Sequence, residues 1–165
     1  MAPSSSTYIS EEIHIIKDVP FYEDKNNQCG PSSLASVINY WQTKTHSFDP
    51  VAPRDISSKI YSEGARGTLG MDLEFYAKGK GFDTIQYSGS VEGIKKNILD
   101  GNPVIILVDF GFLFYQKNHF MVVTGYSSDG IIVHSGSEEK FISFDDLKII
   151  WEKTRFWTLI VKPSY

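Results

Sequence analysis

What this sequence lacks narrows it first. One of its 165 residues is a cysteine, Cys29, so no disulfide can form within the chain and cysteine usage says nothing of the redox compartment. The longest uninterrupted aliphatic run is Val104 to Val108, far short of the roughly 20 residues that span a bilayer as a helix. Lys and Arg total 16 against 20 Asp and Glu, a net charge of −4, and no basic stripe breaks the balance, so nucleic acid is not an expected partner. The opening Met-Ala-Pro-Ser-Ser-Ser has neither the basic nor the apolar segment of a signal peptide and reads as a trimmed start. There is no internal repeat and no low-complexity segment. The four histidines, His14, His46, His119 and His134, are scattered, and none is at zinc spacing from the cysteine. No glycine-rich phosphate loop follows a strand, so neither a metal nor a cofactor is expected.

What is present suits one globular domain. Hydrophobic residues make up 41% and charged residues 22%, and the length supports a single core. Aromatics at 14% predict a core rich in large rings. Residues 1–18 form a polar lead-in with an edge strand around Ile13–Ile16, and residues 19–165 form the domain. Nothing suggests an obligate interface, so a monomer is expected.

Pro20 to Gln28 is polar and reads as a loop. Leu34, Val37, Ile38 and Trp41 then recur at i, i+3, i+4 and i+7, the face of an amphipathic helix. Pro31 suits its first turn, where a missing N–H loses no hydrogen bond, so Cys29 sits at the helix start or one residue before it. Shorter helices are predicted over Ile56–Tyr61 and Met71–Lys78, and from Ser90 through Leu99. Val104–Phe110 reads as a buried central strand. His119–Tyr126 and Ile131–His134 flank Ser-Ser-Asp-Gly, a hairpin signal. Lys140–Ile142 is a short strand, Ser143-x-x-Asp146 resembles a capping box opening a helix to Lys153, and Phe156–Val161 closes the sheet. A helical first half and an antiparallel second half make an α+β fold.

The chemistry concentrates on Cys29. A lone cysteine is commonly a small buried hydrophobe, but a helix N-terminus lowers a thiol pKa and presents free N–H groups that can receive an oxyanion. A base must come from elsewhere. His14 and His46 read as surface residues, while His119 opens a strand, where an imidazole can face a cleft; a structural role for it stands beside that reading. The aromatic run Phe110, Phe112, Phe114, Tyr115 precedes His119 and is read either as a groove lining or as packing between lobes. Gly64–Gly70 reads as a flexible loop bordering the cleft.

Two motifs taken together point further. Gln28-Cys29-Gly30-Pro31-Ser32-Ser33-Leu34 and Asn118-His119-Phe120-x-Val122-Val123-x-Gly125-Tyr126 resemble those of papain-like cysteine peptidases that process bacteriocin leaders at double-glycine sites. Val19-Pro20-Phe21-Tyr22 resembles that family's lead-in strand, and Gly101-x-Pro103-Val104 is similar to its approach to the central strand. Val133-His134-Ser135-Gly136, with Trp151-Glu152-Lys153-Thr154 and Phe156-Trp157-x-Leu159, is similar to a stand-alone bacterial branch. The match covers about residues 19–163.

The resemblance implies a papain-like fold, with the Cys29 helix packed on an antiparallel sheet that carries His119. It implies a peptide or protein substrate, Cys29 as nucleophile and His119 as base. Members of the branch often follow a secretion or lipoprotein signal, which suggests an exported or anchored protein. Two positions depart from the pattern. The carboxylate or Asn about sixteen residues after the histidine falls at Ser135, whose hydroxyl is expected to accept from His119 Nδ1–H, or merely to start a turn. The glutamine about six residues before the cysteine falls at Glu23, followed by Asp24, and an ionised carboxylate has no hydrogen to donate. The Cys29 backbone N–H is expected as one oxyanion donor; Gln28, Asn26 and Asn27 are candidates for the other. Three functions follow: a cysteine peptidase, a peptidase-like binding module with weak or no catalysis, or another thiol acyl transfer on the same scaffold.

Overall fold

The computed structural model describes residues 12–23, 28–47, 49–62, 69–135 and 138–164. In chain order the elements are β1 (His14–Ile15), α1 (Cys29–Lys44), α2 (Pro53–Ser62), α3 (Leu69–Gly79), β2 (Phe82–Ser88), α4 (Val91–Leu99), β3 (Val104–Asp109), β4 (Asn118–Tyr126), β5 (Gly130–Ser135), β6 (Glu138–Ser143), α5 (Phe144–Glu152) and β7 (Trp157–Pro163). Seven strands form one sheet of order β2-β7-β3-β4-β5-β6, and β1 pairs with β4. Every pairing is antiparallel. The expected α+β architecture, with the cysteine helix on an antiparallel sheet that carries the histidine, is the observed one.

The apolar run of β3 reflects a sheet covered on both faces. Ile105 packs with Leu34, Val37 and Ile38 of α1 and with Phe120, Val122 and Leu159. Val104, Ile106 and Val108 pack the other way, with Ile94 and Ile98 of α4 and Leu147 and Trp151 of α5. Alternate residues along a strand point to opposite faces, so a continuous apolar strand is what two covered faces require.

Local signals place the boundaries. Ser90 Oγ accepts from Gly93 N–H at 3.0 Å and Ser143 Oγ from Asp146 N–H at 3.1 Å, capping α4 and α5. β4 and β5 close through the expected turn, with Ser127 N–H donating to Gly130 O at 2.9 Å. β1 lies where β3 has ended: His14 pairs with Tyr126 and Ile15 with Gly125. A Cβ on Gly125 would come within 2.7 Å of the His14 carbonyl, so glycine permits that approach.

Four expectations need correction. α1 is not amphipathic: Gly30 through Tyr40 are all buried, because the sheet covers one side and α2 and α3 another. Its polar positions are small or satisfied; Asn39 bonds Val51 at both backbone groups and the Tyr22 hydroxyl. Second, the sheet has an edge strand that the sequence does not announce: Phe82–Ser88 is β2 and pairs along its full length with β7. Third, β3 stops at Asp109, before Phe110, because the Asp109 carboxylate turns to accept from Gly111 N–H at 2.7 Å and Lys117 N–H at 2.8 Å. Fourth, the core is mainly aliphatic. Phe120 is the one buried phenylalanine among the described residues, while Phe21, Phe75, Phe110, Phe112, Phe114 and Phe141 are exposed.

Candidate active site

Cys29 is the first residue of α1 and is half-buried. Gln28 is the N-cap; its backbone carbonyl accepts from Ser32 N–H at 2.9 Å, and its side chain makes no capping bond. The N–H groups of a helix's first turn have no intrahelical acceptor and carry partial positive charge, so the thiol lies at the electropositive end of a 16-residue helix. Gly30 lets that end settle deeply: a Cβ there would already touch Leu69, Leu73 and Phe120 at 3.3–3.4 Å.

His119 is the second residue of β4 and Ser135 the last of β5. His119 Nε2 lies 2.9 Å from Ser135 Oγ. The two positions sixteen residues apart are thus in hydrogen-bond contact, through Nε2 and not through the expected Nδ1. Ser135 is buried, which shields the contact from competing water. The Phe110 ring leans over the imidazole, centroids 5.8 Å apart at 41°. Cys29, His119 and Ser135 line one cleft of about 910 Å³, together with Leu69, Gly70, Leu107, Tyr115, Lys117 and Trp157.

Trp157 fills one side of this cleft and Gly70 makes room for it: a Cβ on Gly70 would sit 2.6 Å from Trp157 Cζ2. Of the glycine-rich stretch, Gly70 is the first-turn residue of α3 that borders the cleft; 64–68 lie outside the described residues. Glu23 is exposed, and Asp24, Asn26 and Asn27 also lie outside them. His14 and His46 are away from the cleft. His14 bonds Glu12 at 2.7 Å and stacks on Tyr126, and His46 is exposed.

Sequence reasoning passed over His134. Its ring meets Phe21 edge-on at 5.1 Å, and it lines a water-sized chamber behind Cys29 with Ser32, Ser33 and Ser36. His134 Nδ1 and Ser32 Oγ are both buried there without a hydrogen-bond partner among the described residues. Burial pushes the His134 pKa down, against the opposing pull of Glu139 and the Pro20 carbonyl. The burial of α1's serine side was the missing signal: it makes the chamber, and no local pattern announces it.

The model of the Peptidase_C39 like family matches residues 16–157. The chain belongs to that family. The fold agrees with solved structures of low sequence identity. A protein described as a C39-like peptidase from Bacillus anthracis superimposes with a TM-score of 0.69 at 16% identity, covering 93% of this chain and 98% of that one. A double glycine motif protease from an AMS/PCAT transporter, in complex with the leader peptide, gives 0.67 at 19% identity over 93% and 99%. The peptidase domain of Streptococcus ComA, a bi-functional ABC transporter of a quorum-sensing pathway, gives 0.65 at 17% over 87% and 97%. No curated protein sequence matches the chain. Among the described residues no helix is long and apolar enough to cross a membrane.

Proposed function

We propose that this C39-family chain is a cysteine peptidase that hydrolyses a peptide bond after small, Gly-Gly-like residues. The observation that carries this reading is the meeting, in one cleft, of a cysteine at a helix N-terminus with a histidine anchored through Nε2. With Nε2–H donating to Ser135 Oγ, Nδ1 is the ring nitrogen that takes the Cys29 proton. The thiolate attacks the scissile carbonyl carbon, and the oxyanion is received by the Cys29 backbone N–H, with the Gln28 amide as the second donor. The imidazolium returns its proton to the leaving amine as the C–N bond breaks. Water then attacks the thioester, giving up a proton to His119, and the acid product leaves as the thiol re-forms. Trp157 and Leu69 line the side of the cleft that receives those residues.

A second reading, a peptidase-like module that binds peptides with weak or no turnover, is favoured by the neutral Ser135 at the orienting position and by Glu23 at the donor position. One experiment separates them. The chain is incubated with synthetic peptides bearing an internal Gly-Gly, and products are followed by mass spectrometry beside Cys29→Ala and His119→Ala. Cleavage by the parent chain, lost in both variants, supports the peptidase. Saturable binding without products assigns the binding module.

A further inference from the structure

The connection between β3 and β4 carries the most conspicuous unassigned feature of the surface. Phe112, Leu113 and Tyr115 are 78%, 83% and 71% exposed, and Phe114 is fully exposed. Four large apolar side chains in succession on a tip of this kind go beyond the scattered exposed hydrophobics of ordinary surfaces.

The tip is held out by a built frame. Asp109 Oδ1 accepts from Gly111 N–H at 2.7 Å and Lys117 N–H at 2.8 Å. Phe110 N–H donates to Lys117 O at 2.9 Å, Tyr115 N–H to Phe112 O at 3.1 Å, and Lys153 Nζ to Gly111 O at 2.6 Å. A Cβ on Gly111 would collide with the Tyr115 carbonyl, so the turn needs glycine there. Leu113 takes φ 56°, a left-handed conformation uncommon for a non-glycine residue.

Phe110 and Tyr115 face the cleft, but Phe112, Leu113 and Phe114 do not line it. A peptide lying in the cleft therefore leaves the tip uncovered. The tip stands out from its surroundings, with Phe112, Leu113 and Phe114 each 78% or more exposed. A protein partner would need a matching groove, whereas the interfacial region of a bilayer yields around an apolar wedge. Charge agrees with that choice. In a chain of net charge −4, Lys117 flanks the tip, Lys153 roots it and Lys140 lines the same cleft, against the one carboxylate of Asp109, which interacts with Lys153.

We propose that residues 111–115 are a membrane-docking wedge, inserting Phe112, Leu113 and Phe114 into the interface of an anionic bilayer. Docking there sets the mouth of the cleft at the lipid surface. The proposal stands independently of whether the cleft turns substrate over.

The test is sedimentation of the chain with vesicles of phosphatidylcholine alone and of phosphatidylcholine mixed with phosphatidylglycerol. The parent chain should partition onto the mixed vesicles. Replacing Phe112, Leu113 and Phe114 together by serine should lower the partition at least about tenfold. The same replacement should leave thermal unfolding unchanged, since these three side chains are each 78% or more exposed. Ile149→Ser, an exposed apolar site on α5, should keep parental binding. Absence of parental binding, or equal binding by the triple variant, overturns the proposal. So does self-association of the parent chain without vesicle binding, abolished in the triple variant, which would assign the tip to a second copy.

Discussion

Replacing Ser135 by alanine and, separately, by aspartate tests the geometry on which the mechanism rests. The Ser135 hydroxyl lies 2.9 Å from His119 Nε2, and it holds the imidazolium more strongly than the neutral ring by about 0.5–1.5 kcal/mol, the difference between a charged and a neutral hydrogen bond. Alanine should therefore lower the population of a thiolate–imidazolium pair by about 2- to 10-fold. Aspartate puts a charge-assisted acceptor in the same place. An opposite charge within ~4–6 Å favours the charged imidazole by about 1.4–4 kcal/mol. Ser135 is buried, so a carboxylate there is partly desolvated and the lower end of the range applies, about a tenfold gain. The assay is the rate of iodoacetamide labelling between pH 5 and 8, read by intact mass; the single cysteine makes the signal specific. Below neutral pH the order should be aspartate, parent, alanine. Three superimposable profiles would refute the reasoning: Ser135 would then only fill space, and the imidazole would be oriented by something else.

Two further outcomes follow from buried polar groups. Asn39→Ala removes the partners of Val51 N–H and Val51 O, both 2.8 Å bonds in a buried setting, and should destabilise the chain by about 2–4 kcal/mol in urea unfolding; a change below about 0.5 kcal/mol would mean that water replaces the amide. His134, held by burial below the ordinary value of 6.5, is neutral in the native chain at pH values where the unfolded chain already binds a proton. Stability should thus fall as pH drops below about 6.5 and level off below the native value, and His134→Gln should remove that component of the melting-temperature profile while a parallel profile would show that His134 is not its source.

Much of the fold around the candidate site was legible because its signals are local in sequence. Gly30-Pro31 after Cys29 marks a helix start by backbone requirements alone, and Ser90 and Ser143 announce their helices through capping hydroxyls that need no tertiary partner. The hairpin after Tyr126 is likewise written in Ser-Ser-Asp-Gly. By contrast, β2 has a polar, alternating texture that only its pairing with β7 makes a strand. The apolar periodicity of α1 marks a covered face correctly, but it carries no information on whether the remaining face is covered too.

The sequence by itself determined the elements, their approximate limits and which residue types could act together, since helix starts, turns and strand alternation follow from near-neighbour sterics and hydrogen bonding. Only the tertiary structure decided that Ser135 meets Nε2 of His119, that His134 lines a chamber behind Cys29, and that the side chains of Phe112, Leu113 and Phe114 face outward. Each of those is a relation between segments brought together by packing the sheet on both faces, and no local pattern encodes the direction in which a side chain will find its neighbour.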